Sequence, residues 1–437
     1  MLLKKETRLT QDSYYEASVT RALPSPALAH RITADVCVVG AGFSGLSAAL
    51  ELAARGYSVA LLEAKMVGWG ASGRNGGQAL VGFAGEDAIE SQFSVADARC
   101  AWNTTVDGLQ LLRQRIATHA IDCDFVPGYM SLAVGARKAR ALDAWVDHVA
   151  RTYDYPIQKI AAAELKNCIA SERFHGGAYD AGSGHLHPLK YCLGLAAAAR
   201  AAGVQIFENS PVIDVERGGD GRGKKPVVKT AQGEVACSFV VLAGNVYLNE
   251  YGKTVAPELG QRIMPVGTYI IATEPMAKQR ADLLLRQRAA VCDTNFILDY
   301  FRLTADHRML FGGRVSYTTA TPMNLAASMR QRMLAVFPQL ADLAVQHAWG
   351  GFIDITMNRA PDFGRLGHNI YYMQGFSGHG LVLSGMAGKL VAETIAGQAE
   401  RFDLLSRIQH HSFPGGPLMR TPALVLGTLY YRLKDLF

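Results

Sequence analysis

From Ala34 onward, short apolar runs alternate with residues at helical spacing. Asp35 to Val39 is a β-branched run of the kind a parallel sheet buries on both faces. Leu46, Ala49, Leu50 and Ala53 follow on one helical face, Gly56 ends that helix, and Ser58 to Leu62 makes a second strand. Together they form a complete βαβ unit. Beyond a glycine-rich stretch, the pattern predicts helix around residues 85–120, a strand over 126–135 and an amphipathic helix in "ARALDAWVDHVARTY". "GLAAAARAAGVQIFENSPVIDVE" reads as a helix stopping at Gly203 and then a strand; "RGGDGRGKKP" as an exposed hairpin tip; "SFVVLAGN" as another buried strand. Between about 260 and 350 the period changes to that of alternating strands in "MPVGTYIIATEP", "NFILDYFRLT" and "RMLFGGRVSY", which predicts an antiparallel sheet. "NIYYMQGFSGHGLVLSGMAGKLVAETIAG" then returns to strand, glycine turn and helix, so the chain leaves its first domain and comes back.

The expected architecture is α/β: a discontinuous dinucleotide-binding domain over 30–125, 172–250 and 350–400, a sheet domain over 126–171 and 251–349, and a segment 401–437 packing on the body. The 437 residues suit two or three units at roughly 150 residues each. With 49% apolar and 19% charged residues the chain has the composition of a soluble enzyme, and a net charge of +6 carried by scattered Lys and Arg argues against nucleic acid as a partner. The seven cysteines include no CxxC and no Cys/His pairing at metal-ligand spacing, so no metal is expected. The charged, polar N-terminus lacks an apolar core segment, which predicts a cytoplasmic protein. No apolar run approaches the roughly 20 residues that span a bilayer. The terminal "TPALVLGTLYYRLKDLF" is expected to pack on the body, with peripheral membrane contact as the lesser alternative.

Gly40, Gly42 and Gly45 form GxGxxG between a strand and a helix. The first glycine permits a tight turn, the second close approach of a pyrophosphate, and the third helix–strand packing; Phe43 and Ser44 open the helix, whose N-terminus is partly positive. Glu63, followed by Ala64, closes the second strand where a carboxylate reaches ribose hydroxyls. No arginine beside Glu63 invites a 2′-phosphate, which disfavours NADP and leaves NAD and FAD open at this point.

"GWGASGRNGGQ", Gly68 to Gln78, has five glycines in eleven residues and cannot be a stable helix or an ordinary strand. Beside "GFSGHGLVLSGMAGKLVAETIAG" it resembles the glutathione-reductase-like flavoproteins of the D-amino-acid oxidase and sarcosine oxidase family. The resemblance selects FAD and implies a glutathione-reductase-like FAD-binding domain with an inserted antiparallel-sheet substrate domain. It also implies that Gly70, Ala71, Ser72, Arg74, Asn75, Gly76, Gly77 and Gln78 pass along the pyrophosphate and flavin face. Gly375, Gly378, His379, Gly380 and Leu381 would set backbone N–H groups and a helix N-terminus against the charge of a reduced flavin. His379 reads equally as a structural capping residue or as a flavin contact. Val212 resembles the position that holds adenine through its main chain, and Ala243 and Gly244 the turn facing the dinucleotide.

"SYYEAS", "GHLHPLKYCLGLA", "FRLTADHRMLFGGR" and "FPGGPLMRTP" narrow the likeness to the gamma-glutamylputrescine oxidoreductase branch. This implies an amine substrate that loses hydride from its α-carbon to flavin N5, an imine that hydrolyses to an aldehyde, and oxygen as acceptor. Amino-acid or N-methyl amino-acid oxidation, and a flavin-binding module without turnover, are the alternatives. Tyr300 and Arg302 alternate onto one strand face and are candidates for an aromatic wall and a carboxylate clamp, or for an ordinary strand. Tyr269 is expected in the core, and Asp354 and Asn358 in structural roles. FAD should be non-covalent: the glycine stretch has no histidine to tether it, and Cys292 sits in no attachment motif. Arg314 is the nearest cation in the "LFGGR" strand, and no lysine over the flavin is assigned.

Overall fold

The computed structural model describes residues 12–218, 225–252, 255–316 and 324–414. Its first sheet has the strand order Asp362–Arg365, Ile370–Gln374, Glu234–Leu242, Arg31–Val39, Val59–Leu62, Gln205–Phe207. Its four inner strands run parallel to one another; Gln205–Phe207 joins them in parallel and Asp362–Arg365 is antiparallel. Val36, Cys37 and Val38 are completely buried, as a central strand covered on both faces requires. Asp214–Glu216 and Val227–Lys229 pair as the two arms of the expected hairpin, whose tip over 219–224 lies outside the described residues.

The second sheet runs Val345–Ile355, Met264–Thr273, Met309–Ser316, Tyr300–Leu303, Ala290–Asp293, Val126–Leu132, Gly177–His185, Gln78–Ala79. It is mixed rather than antiparallel, because Val126–Leu132 and Ala290–Asp293 pair in parallel. These two strands are joined through the first domain, so no tight turn forces them antiparallel. Gly177–His185 and Gln78–Ala79 also belong here, although the sequence pattern puts both in the first domain; the chain crosses between the sheets more often than its hydrophobic periodicity reveals. Tyr269 is fully buried in this core. Among the described residues no helix is long and apolar enough to cross a membrane. Phe402 and Leu405 of the Glu400–Ser406 helix enter the first core, while "ALVLGTLYY" lies outside the described residues.

Two helices bring the dinucleotide turn to the far end of the chain. Phe43–Ala54 packs on Gly380–Ile395 with almost no space between them: a Cβ at Gly388 would lie 2.6 Å from Ala48 N and would collide with the Ser44 carbonyl oxygen. Ser47 Oγ donates to the Gly385 carbonyl across the same seam. Gly388→Ala must therefore push the helices apart, at about 1–3 kcal/mol. A lower thermal unfolding midpoint is the expected result.

Candidate functional site

A cavity of about 1230 Å³ lies between the two sheets. At one end the strand Arg31–Val39 turns at Gly40, whose φ of +107° and the Ala243 carbonyl oxygen 2.7 Å from where its Cβ would stand both require glycine. Gly42 abuts Ser72, whose Oγ accepts from the Phe43 N–H at 3.0 Å and so caps the helix. Glu63 accepts from the Ala41 and Lys65 N–H groups at 2.8 and 2.9 Å; burial raises its pKa. Val212, Ala243 and Gly244 line the cavity here, with Ala64.

The glycine stretch forms the middle of the wall. Asn75 Nδ2 donates to the Ala71 and Ser72 carbonyls and Asn75 Oδ1 accepts from Gly77 N–H, which folds the segment on itself. Three carbonyls in succession are then held from outside: Arg74 by the Trp349 indole at 3.0 Å, Asn75 by the Tyr15 hydroxyl at 2.8 Å, Gly76 by Arg302 Nε at 2.7 Å. Arg74 itself is buried, its guanidinium 4.2 Å from the centre of the Trp69 ring, and its Nη2 has no hydrogen-bond partner. Burial lowers its pKa to about 10.

At the third region Gly375, Ser377 and Gly378 all have positive φ, +77°, +52° and +87°. Asp354 holds this turn: its carboxylate accepts from Gly375 and Phe376 N–H, and its carbonyl from Ser377 N–H at 2.9 Å. Burial raises Asp354 to about 6. The turn delivers Gly378, His379, Gly380 and Leu381 to the cavity at the start of a 16-residue helix.

The DAO family, FAD dependent oxidoreductase, matches residues 35–394. The chain belongs to this family. It is 40% identical over 424 residues, 97% of its length and 98% of the other's, to gamma-glutamylputrescine oxidoreductase of Escherichia coli K12. It is 41% identical to the probable oxidoreductase OrdL of Haemophilus influenzae, over 97% of both chains. Glycine oxidase from Bacillus cereus has the same fold, with a TM-score of 0.70 at 21% identity over 87% of this chain and 99% of that one. The protein is thus an FAD-dependent oxidoreductase of the DAO family. The cavity suits this cofactor: a glycine cradle opens on a helix N-terminus at one end, and a buried guanidinium with an unused N–H group, a natural partner for an anion, stands in the wall.

Most of the residues expected at the FAD site line one cavity, including Gly70, Ala71, Ser72, Asn75, Gly76 and Gln78, and Tyr300, expected as an aromatic wall for the substrate, lines it too. Gly45, Gly77 and Gly375 do not; they are glycines for packing, since a Cβ at Gly45 would strike the Gly40 carbonyl and one at Gly77 the Leu186 carbonyl. Arg302 is a correction: buried, it spends Nε on Gly76 and Nη2 on Tyr15 Oη at 3.1 Å and does not face the cavity as a carboxylate clamp. The His379 ring makes no cap bond either; Nε2 donates to the Val81 carbonyl at 3.1 Å and burial lowers its pKa to about 4. Asn358 bonds the Gln409 carbonyl and its own loop. The Arg314 side chain lies outside the described residues.

Sequence reasoning passed over Glu86, Trp102, Tyr129, Trp145, Tyr155 and Asp180, which also line the cavity. They come from separate helices, strands and a loop and share no local motif. Cys292 is among the lining residues, its thiol donating to Gln78 Oε1 at 3.1 Å and its pKa raised to about 12 by burial.

Two outcomes follow from these placements. Arg302→Met should destabilise the fold by about 1–3 kcal/mol and loosen FAD, because the Gly76 carbonyl loses its donor. The KM of the flavin-loaded fraction should stay near wild type, whereas loss of a carboxylate clamp would raise it at least about tenfold. For His379 the folded pKa of about 4 lies below the ordinary 6.5, so its contribution is whole above pH 6.5 and is lost as pH falls through about 4. Melting curves from pH 7 to 4 should show His379→Gln gaining on wild type as the pH drops.

Proposed function

We propose that the chain oxidises an amine related to gamma-glutamylputrescine, with non-covalent FAD held along the cavity and oxygen as acceptor. The 40% identity over nearly the whole of both chains supports the substrate class. The observation that carries the reading is the wall itself, where Glu86 and Asp180 stand beside Trp102, Trp145 and Tyr155. An acidic, aromatic wall suits a cationic substrate.

Gly40, Gly42 and the helix at Phe43 would take the pyrophosphate, Glu63 the ribose, and Val212 the adenine. The Gly378–Gly380 turn, with Arg74 opposite negative charge, would receive the flavin ring. FAD, when bound, supplies the two-electron acceptor that takes hydride from the carbon beside the substrate nitrogen, leaving an imine that water converts to an aldehyde and ammonia. The chain's own part is to hold the amine and exclude water. Asp354 and the Val81 carbonyl fix the turn and the His379 ring, and Tyr300, packed against Gly76 and Gly312, forms a rigid wall. A neutral amine gives up hydride without an acid/base pair, in keeping with a neutral His379 whose Nε2–H is already committed.

Oxidation of an amino acid is the second reading, favoured by Arg359, a cavity-lining guanidinium 5.4 Å from the centre of the Phe296 ring. Anaerobic stopped-flow bleaching of the flavin by polyamines, gamma-glutamyl amines and amino acids separates the two. Bleaching by gamma-glutamyl amines with peroxide release in air is expected; bleaching by amino acids alone would favour the second reading, and no bleaching a module without turnover. Arg74→Ala should weaken FAD binding at least about tenfold in a flavin titration, and unchanged affinity would remove Arg74 from the site.

A further inference from the structure

Glu86 begins the short helix Glu86–Glu90 and borders the cavity. Its Oε2 accepts from the Trp145 indole N–H at 2.8 Å. Its Oε1 stands beside the Trp102 ring: a Cβ added at Gly82 would lie 2.8 Å from Oε1 and 3.1 Å from Trp102 Cζ3. Tyr155 meets Trp102 edge-on with ring centres 5.8 Å apart and donates its hydroxyl to Asp180 Oδ1 at 2.9 Å. Three aromatic rings and two carboxylates thus share one recess of the cavity wall.

Neither acid enters an ion pair among the described residues. Asp180 Oδ1 already accepts from Tyr155 and from Gly182 N–H at 2.8 Å. Glu86 accepts from the Trp145 indole and from the Phe83 backbone, and burial outweighs both bonds and raises it to about 7. A cation would restore its ionised form, and the surrounding ring faces would attract the same cation.

The recess adjoins the turn proposed to receive the flavin ring. His379 bonds the Val81 carbonyl, and Gly85 presses on the next loop so closely that a Cβ would stand 2.8 Å from Ala360 N. The segment Val81–Glu86 therefore runs beside the N-terminus of the Gly380–Ile395 helix.

We propose that Glu86 anchors a second positive charge on the substrate, making the enzyme selective for amines that carry a cation at the end remote from the reacting nitrogen. This rests on the amine reading above. The reacting nitrogen must be neutral to release hydride, and an ionised carboxylate stabilises the protonated form. Glu86 therefore suits the charge that persists through the reaction, the remote one. Trp145, which fixes the carboxylate through its indole N–H, is the positioning residue.

The test uses the FAD-loaded enzyme, wild type, Glu86→Gln and Trp145→Phe. Turnover of the gamma-glutamyl derivative of 1,4-diaminobutane is compared with that of butylamine, and 1,4-bis(trimethylammonio)butane, which has no oxidisable amine, is titrated against the flavin spectrum. In Glu86→Gln the ratio of kcat/KM between the two amines should fall at least about tenfold, chiefly through KM, and the bis-ammonium Kd should rise by a similar factor. Trp145→Phe should shift both in the same direction by less, and it carries the test if Glu86→Gln does not retain flavin. An equal loss for both amines through kcat, or an unchanged bis-ammonium Kd, overturns the anchor. If no amine bleaches the wild-type flavin the amine reading falls, and the bis-ammonium titration alone then upholds or overturns Glu86 as a cation site.

Discussion

Three successive carbonyls, those of Arg74, Asn75 and Gly76, are each held by a side chain from a distant part of the chain. The donors are Trp349 from the second sheet, Tyr15 from the short helix Tyr14–Ala17 and Arg302 from another strand of the second sheet. A glycine-rich segment has the largest conformational entropy to lose on folding, and nothing in its own sequence selects one backbone path. The three bonds select that path, setting Ser72 on the Phe43–Ala54 helix and Tyr300 against Gly76. The first turn and the middle wall of the cavity depend on this restraint, and it ties the two sheets together.

The second organising feature is burial of charge. Glu63, Glu86 and Asp354 are raised by desolvation, Arg74 and His379 lowered by it, all around one cavity. Each charge is held by backbone or side-chain bonds or faces space that a charged ligand can enter. The latter groups, Arg74 and Glu86, are the two proposed to meet cofactor and substrate. Asp354 shows the other use: its acceptor oxygens hold a run of left-handed backbone that brings a helix N-terminus to the cavity.

The dinucleotide unit was readable because its signals are local. A β-branched run, GxGxxG and a carboxylate at the next strand end fall within thirty residues, and each has one physical use. The recess around Glu86 was not readable in this way. Glu86, Trp145, Tyr155 and Asp180 stand on a helix start, a helix, a loop and a strand, and only packing brings them together. Arg302 shows the converse. Its alternation with Tyr300 placed both on one strand face, yet the glycine carbonyl it meets comes from more than two hundred residues away, and that bond turns the guanidinium away from the cavity.

By itself the sequence determined the α/β class, the return of the chain to its first domain, the FAD cradle and the family. The first two rest on short-range periodicity and motif spacing, and the choice of FAD and the family on the resemblance carried by the glycine-rich stretches. Tertiary structure alone decided that the second sheet is mixed, that Gly177–His185 belongs to it, that Arg302 is a buried strut and that Glu86 faces the cavity. Strand partners and side-chain destinations are settled by contacts between residues remote in sequence, where periodicity carries no information.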